Sequence, residues 1–372
     1  MSKSILLVAG EISGDMYGAD LAKALKQRQS DLDFFGLGGD AMQDCDVKLL
    51  EHTNSLAIMG FSEILPKIIF FGKLIKKIEK EIKEKEPIAI VFIDYPGFNL
   101  KLAKKLKNSS APTYYYIPPK VWAWRRKRIN TLKKYVDKLF VIFPFEKSLY
   151  EAEGINVEYV GNPLIHQISK VNFRNEDDTY FDKDAEYKVA LLPGSRIQEI
   201  ENMLPVMLKT AKRFSDQKIS FTIAAPNEYI EKKILEYTDA FKIFVDATLS
   251  IVKNADAAII TSGTASLEAA LLKTPHILIY RTSKITFWLV KKFLKIRYVG
   301  LVNIILKKSV CPEILQDALT TSKLSQELET LLFQKKIRED MSQEFEKISE
   351  LLGTKSSPDI IAERILEVNH LH

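Results

Sequence analysis

SILLVAGEISGDMYGADLAKAL, residues 4–25, and KVALLPGSRIQEIENMLPVML, residues 188–208, decide the fold between them. Each opens with a short apolar run, passes through a turn of small residues, and continues with apolar residues at helical spacing. In the first, Ile5–Ala9 reads as a strand, and Leu21, Ala22 and Leu25 share one side of a helix. After the first stretch come further β-rich runs, IAIVFIDYPGF (88–98), PTYYYIPP (112–119), DKLFVIFPF (137–145) and VEYVG (157–161), with helical patterns between several of them. After the second come ISFTIAAP (219–226), ADAAIITSGTASLEAALL (255–272) and HILIYRT (276–282). Strands alternating with helices predict parallel sheets, so the expected fold class is α/β, with two Rossmann-like domains facing an interdomain cleft. The charged, weakly periodic QISKVNFRNEDDTYFDKDAEY (167–187) reads as the linker. The expected domains are 1–166 and 167–350. A terminal helix over 351–372 either packs back on the first domain or exchanges between the protomers of a homodimer.

A chain of 372 residues with 46% hydrophobic content suits two ordinary cores, and no internal repeat interrupts it. The net charge of +6, from 54 Lys+Arg against 48 Asp+Glu, fits an anionic membrane face or phosphorylated substrates and does not by itself suggest nucleic acid. Cys45 and Cys311 form no CxxC pair, which fits a reducing cytoplasm. Ile5–Ala9 is too short for a signal peptide or a span, and nowhere do 18 or so uncharged apolar residues run together. The expectation is a soluble or peripheral protein.

Five stretches carry candidate chemistry. Gly10, Gly14 and Gly18 lack the G-x-G-x-x-G spacing, and no Lys-Ser/Thr follows, so neither a dinucleotide cofactor nor a P-loop is expected. The turn either admits a ligand to the backbone or is simply tight. Gly194, Ser195 and Arg196 stand where a strand meets a helix N-terminus, and free N–H groups beside a guanidinium make an anion site. Ser262, Gly263, Thr264 and Ser266 repeat that arrangement, with Glu268 available for ribose hydroxyls; the alternative is ordinary helix capping. Two anion-ready loops in one domain favour a diphosphate. Asp94 follows an apolar strand at its carboxyl end, where desolvation suits a general base; a turn or capping Asp is the competing reading. In PPKVWAWRRKRIN, Trp122 and Trp124 interleave with Arg125, Arg126, Lys127 and Arg128, which fits a phosphosugar site or a solvated basic turn better than single-stranded nucleic acid. The five histidines show no HExxH, and Asp31-Leu-Asp33 and Asp44-Cys-Asp46 follow no apolar strand, so no metal site is expected.

Two stretches are both greasy and basic. TFWLVKKFLKIRY (286–298) sets Lys291, Lys292 and Lys295 on one helical face around Trp288. In the helix expected after Pro66, Phe71, Leu74 or Ile75, Ile78 and Ile82 make a core stripe, while Ile68, Ile69, Phe70 and Phe71 surround a full turn with apolar groups and Ile64 and Leu65 extend that surface. Such patches suit interfacial binding or acyl chains; core packing and an oligomer interface are the alternatives.

The segments AGEISGD, MGFSEILP, IDYPGFN, VWAWRRKRI, PFEKSLYE, LLPGSRIQEI, SGTASLEAALLKTP, YRTSKITFWLVKKFLKIRYVGLVN and PEILQ, in this order over about residues 5 to 315, resemble the lipid-A-disaccharide synthase family of GT-B glycosyltransferases. The resemblance implies inverting transfer of 2,3-diacylglucosamine from its UDP conjugate to the 6-hydroxyl of 2,3-diacylglucosamine 1-phosphate, without cofactor or metal. It implies Asp94 as base, and Arg196, the helix N-termini at 194–196 and 262–266, and Arg281 as stabilisers of the departing diphosphate. Substrate contacts are implied at Glu11, Ser13, Gly14, Asp15, Trp122, Trp124, Arg125, Gly194, Ser195, Ser262, Gly263, Thr264, Ala265, Glu268, Arg281 and Asn303. Both substrates are lipids, so the patch Ile64, Leu65, Ile68, Phe71, Trp288, Lys291, Lys292 and Lys295 is expected near acyl chains or an anionic phospholipid surface. The implied location is the cytoplasmic face of the inner membrane. Gly97, Pro119, Lys120, Asn162 and Val302 depart from the common pattern, which bears on the acceptor and on acyl length.

Overall fold

A computed structural model describes the backbone of residues 3–56, 64–122, 125–171, 173, 180–282 and 297–369, and their side chains except at 64–67. The chain divides into two compact units, Met1–Pro163 with Leu352–His372, and Leu164–Leu351.

The first unit is built on seven parallel strands: β1 (Lys3–Ala9), β2 (Leu32–Gly38), β3 (Val47–His52), β4 (Ala89–Ile93), β5 (Thr113–Tyr116), β6 (Lys138–Val141) and β7 (Val157–Tyr159). They lie in the order β3-β2-β1-β4-β5-β6-β7. Strands β1 and β4 are buried on both faces, with Ile5 to Ala9 and Ala89 to Ile93 all at 0% exposure, which is why they read as continuous apolar runs. The second unit repeats the plan with six strands: β8 (Tyr187–Leu192), β9 (Ile219–Ala225), β10 (Lys242–Val245), β11 (Ala257–Thr261), β12 (His276–Tyr280) and β13 (Glu313–Leu315). Their order is β10-β9-β8-β11-β12-β13. Both are doubly wound Rossmann-like sheets, and the strand order reverses between β1 and β4 in one and between β8 and β11 in the other.

β2, β3, β10 and β13 carry no clear strand signal in the sequence, being short or broken by charge. Asp33 is an exposed residue inside β2 and interrupts its apolar run. The segment expected as linker is partly core: Tyr180 and Phe181 are buried, and the Tyr180 ring meets Phe244 edge-on at 5.0 Å. The helix Ser357–Val368 packs within the first unit, with Arg28 2.8 Å from Asp359, Arg364 3.1 Å from Glu158, and Ser357 donating to the Gly161 carbonyl at 2.9 Å. In the helix Ile64–Lys85, Leu74 and Ile78 are buried and Phe71, Ile75 and Ile82 pack against the same core, while Ile68 and Ile69 remain 63% and 51% exposed.

Candidate active site

Ligands of open α/β sheets bind beyond the carboxyl ends of the strands at the reversal point. In the first unit that point is the β1–β4 pair, in register through Ala9 and Ile93, so Gly10 and Asp94 leave the sheet side by side. Asp94 and Tyr95 both adopt left-handed backbone, φ 45° and 46°, a conformation costing roughly 1–3 kcal/mol per non-glycine residue. Three bonds hold the strained turn. The Asp94 N–H donates to the Tyr116 carbonyl at 3.0 Å, and its own carbonyl accepts from Asn99 Nδ2 at 2.8 Å and Tyr115 Oη at 2.7 Å. The Tyr95 ring lies over Gly10 so closely that a Cβ there would be 2.1 Å from it. Burial, and then the charge of Glu11, push the Asp94 carboxyl up to about 6, against the opposing pull of Lys120. A carboxylate so tuned is a proton acceptor at neutral pH.

Other residues expected in this unit fall into three groups. Glu11 and Ser13 are exposed at the start of the helix Ile12–Arg28, Glu11 close enough to raise Asp94. Gly14 is buried where that helix meets β1, and Asp15 is turned into the fold: its carboxylate accepts from the N–H groups of Gly39, Ala41 and Met42 at 2.6, 3.0 and 3.0 Å. Trp122 is half-buried and donates from Nε1 to the buried Glu146 at 2.9 Å, with Arg125 exposed beyond it. Burial raises the Glu146 carboxyl to about 7, with the Trp122 bond opposing.

In the second unit the reversal point is the β8–β11 pair, in register through Leu192 and Ile260. Gly194, Ser195 and Arg196 follow β8, and Ser262, Gly263 and Thr264 follow β11. The expected free N–H groups of the first loop are occupied. Glu199 accepts from the N–H of Ser195 at 2.9 Å and of Arg196 at 3.3 Å, because a carboxylate in the first turn of the helix Ile197–Lys212 satisfies its orphan donors. The second loop is different: the helix Thr264–Leu271 starts at Gly263 with no side-chain cap, Gly263 and Thr264 are exposed, and Ser266 spends its hydroxyl on the Gly263 carbonyl at 3.0 Å. Glu268 is half-buried, its carboxyl raised by burial, and among the described residues it has no ion pair or side-chain hydrogen bond.

Arg281 donates to the carbonyls of Gln316, at 3.4 Å, and Leu319, and lines a cavity of about 260 Å³ with Glu201, Asn202, Lys209 and Thr320. Asn303 is 1% exposed and wholly committed to the fold, bonded to Val310, Cys311 and Glu313 at 2.8–2.9 Å, which removes it from the ligand-facing set. Trp124, Trp288, Lys291, Lys292 and Lys295, and the side chains of Ile64 and Leu65, lie outside the described residues. Phe71 packs on Phe98 at 5.5 Å, and among the described residues of the patch Ile68 is exposed. Sequence reasoning missed Asn99, Tyr115, Glu146 and Glu199. None of them stands in a recognisable motif: Glu146 and Glu199 are each three residues past a helix cap, but the caps are Phe143 and Arg196 rather than Ser, Thr, Asp or Asn. Among the described residues no group of three or more His, Cys, Asp or Glu is placed to hold a metal ion, and no helix is long and apolar enough to cross a membrane.

The same two-sheet arrangement recurs in solved structures. A UDP-GlcNAc 2-epimerase from Neisseria meningitidis bound to UDP-GlcNAc matches with a TM-score of 0.69 at 13% identity, covering 98% of this chain and 100% of that chain. The calicheamicin glycosyltransferase CalG4 matches with a TM-score of 0.61 at 12% identity, covering 98% of each chain. The fold is GT-B, shared by glycosyltransferases and sugar-nucleotide epimerases. The profile of the Lipid-A-disaccharide synthetase family matches residues 5–364. A lipid-A-disaccharide synthase from Myxococcus xanthus (strain DK1622) is 36% identical over 98% of this chain and 97% of its own length, and one from Coxiella burnetii (strain Dugway 5J108-111) is 37% identical over 89% of each. The chain belongs to the lipid-A-disaccharide synthase family, and is a hexosyltransferase.

Proposed function

We propose that Asp94 is the general base of the family reaction in this chain. The 6-hydroxyl of 2,3-diacylglucosamine 1-phosphate attacks C1 of the sugar of UDP-2,3-diacylglucosamine from the face opposite the diphosphate. The C6 oxygen–C1 bond forms as the bond from C1 to the diphosphate oxygen breaks, and Asp94 takes the hydroxyl proton. The products are the β-1,6-linked disaccharide 1-phosphate and UDP. The observation that carries this reading is the strained, desolvated Asp94 turn at the reversal point of the first sheet, with its carboxyl at about 6. In the second unit, Arg196 and the open N–H groups of Gly263, Thr264 and Ala265 take up the charge that develops on the leaving diphosphate. Glu268 takes the ribose hydroxyls. No metal is required by this assignment, since cationic and N–H donors carry the charge.

The test is to incubate the protein with both substrates in detergent and EDTA and to look for the disaccharide 1-phosphate by mass spectrometry. A product that forms only on adding a divalent metal sinks the metal-free assignment. The epimerases among the similar structures supply a second reading, in which UDP-sugar alone is turned over; donor conversion without acceptor would favour it.

The lipid substrates motivate a membrane role for the helix Ile64–Lys85. Ile68 and Ile69 are exposed together with Lys73, Lys76 and Lys77. Each such side chain is worth about 1.5–3 kcal/mol on transfer to an apolar phase, with the lysines attracted to anionic headgroups. Replacing Ile68 and Ile69 by Ser is expected to lower sedimentation with phosphatidylglycerol vesicles at least tenfold. Unchanged sedimentation would take the membrane role away from this helix.

A further inference from the structure

The loop after β8 turns its backbone inward, onto a residue of its own helix. Glu199 Oε2 accepts the N–H groups of Ser195 at 2.9 Å and Arg196 at 3.3 Å, and Oε1 accepts from Arg196 Nη1 at 3.2 Å. The Glu199 side chain is 13% exposed and that of Arg196 74%. Gly194, at φ +119°, makes the approach possible, since a Cβ there would lie 2.5 Å from Glu199 Oε2 and 2.6 Å from its Cβ. The carboxylate is thus tucked against the loop while the guanidinium reaches outward. Of five guanidinium donors, one is used by Glu199.

Helix capping explains the two N–H contacts; the third is an ion pair three residues apart that ties the otherwise exposed guanidinium to the tucked carboxylate. An exposed arginine without a partner samples many rotamers, and fixing one of them before a ligand arrives lowers the entropy lost on binding. We infer that Glu199 is a positioning residue for the donor diphosphate. It holds Arg196 so that the remaining guanidinium donors meet the phosphate oxygens, and it keeps the loop's two N–H groups for itself, leaving the backbone donors to the helix Thr264–Leu271. The inference rests on the reading that Arg196 meets the diphosphate. Removing Glu199 also removes a negative charge, which alone would favour an anion. That repulsion is weak beside the loss of orientation, because the carboxylate is already neutralised by Arg196 and salt screens what remains.

The experiment is a double-mutant cycle read by calorimetric UDP binding and by the donor KM, with thermal unfolding as the fold control. Glu199→Ala is expected to weaken UDP binding roughly three- to tenfold, on the order of the rotamer freedom regained by one arginine side chain. Its donor KM should rise in step while kcat changes less. Glu199→Gln, which keeps an acceptor for the N–H groups without the charge, should fall between. Because the effect runs through Arg196, adding Glu199→Ala to Arg196→Ala should cost nothing more. A simple cap would lower the unfolding temperature and leave UDP binding alone, and that result overturns the inference. So does tighter binding in Glu199→Ala, or full additivity with Arg196→Ala. If Arg196→Ala itself binds UDP normally, the diphosphate reading falls and takes the inference with it; weakened Arg196→Ala beside an unchanged Glu199→Ala removes the inference alone.

Discussion

At the reversal point of the first sheet, the loops after β1 and β4 hold an acid in a left-handed turn, where burial and Glu11 keep its carboxyl protonated up to about pH 6. At the reversal point of the second, the loops after β8 and β11 hold a guanidinium and an uncapped helix start. The topology is the same, and the electrostatic loading is opposite. A parallel sheet offers a place where two loops diverge and says nothing about charge; a few residues after each strand decide whether that place accepts a proton or an anion.

The largest effect that bears on this contrast is Asp94→Asn. Loss of a positioned base lowers kcat about 10²–10⁴-fold, while UDP binding in the other unit stays within twofold or so. A near-normal kcat would leave the first reversal point without its assigned chemistry. The wild-type kcat/KM should rise about tenfold per pH unit up to the region of pH 6 and then level, as Asp94 loses its proton. Stability runs the other way. The native carboxyl is raised above its unfolded value of 3.8, so the native state binds more protons between about pH 4 and 6, and stability falls as pH rises through that window. Asn mimics the protonated acid, so Asp94→Asn should unfold a few degrees higher than the wild type at pH 7 and at the same temperature at pH 3. Equal midpoints at both pH values would mean the turn does not hold the acid out of water.

Next in size is a pair of glycine substitutions. A Cβ at Gly10 would be 2.1 Å from the Tyr95 ring, whereas at Gly263 nothing lies within 4 Å and the backbone is extended. Gly10→Ala must therefore displace Tyr95 and loosen the Asp94 turn, with about a hundredfold loss of kcat/KM and a changed near-UV circular dichroism in the ligand-free protein. Gly263→Ala should leave the ligand-free spectrum and unfolding temperature unchanged. A silent Gly10→Ala would show that the first loop is as permissive as the second.

The loops at both reversal points were legible because each follows a strand buried on both faces, whose apolar run is unmistakable, and because small residues mark each turn. Asp94 stood out as the first charge after such a run. What escaped notice is what the sequence spaces apart. Asn99 and Tyr115 reach Asp94 only because β4, β5 and the helix Pro96–Lys105 meet there. Asp15 and Asn303 look like ligand groups in a linear motif, and only the fold shows their oxygens already engaged by backbone N–H groups. Edge strands such as β3, interrupted by Lys48 and Glu51, and the three-residue β13 lack the apolar run that betrays a central strand.

The smallest effect separates two acids that burial treats alike. Asp94 and Glu268 both have their carboxyls raised, chiefly by desolvation, so a raised value alone does not name a base. They differ in setting. Asp94 sits in a strained turn after a strand, with a neighbouring acid, while Glu268 lies on a regular helix beside the uncapped start. If Glu268 serves ribose hydroxyls, an amide can replace it, because Gln also accepts a hydrogen bond. Glu268→Gln should then raise the donor KM by a few-fold, about the worth of one neutral-for-charged hydrogen bond, with kcat nearly unchanged and the pH limb near 6 intact. A fall in kcat comparable to that of Asp94→Asn, or loss of the limb, would transfer the proton chemistry to the second unit and reverse the contrast between the two sheets.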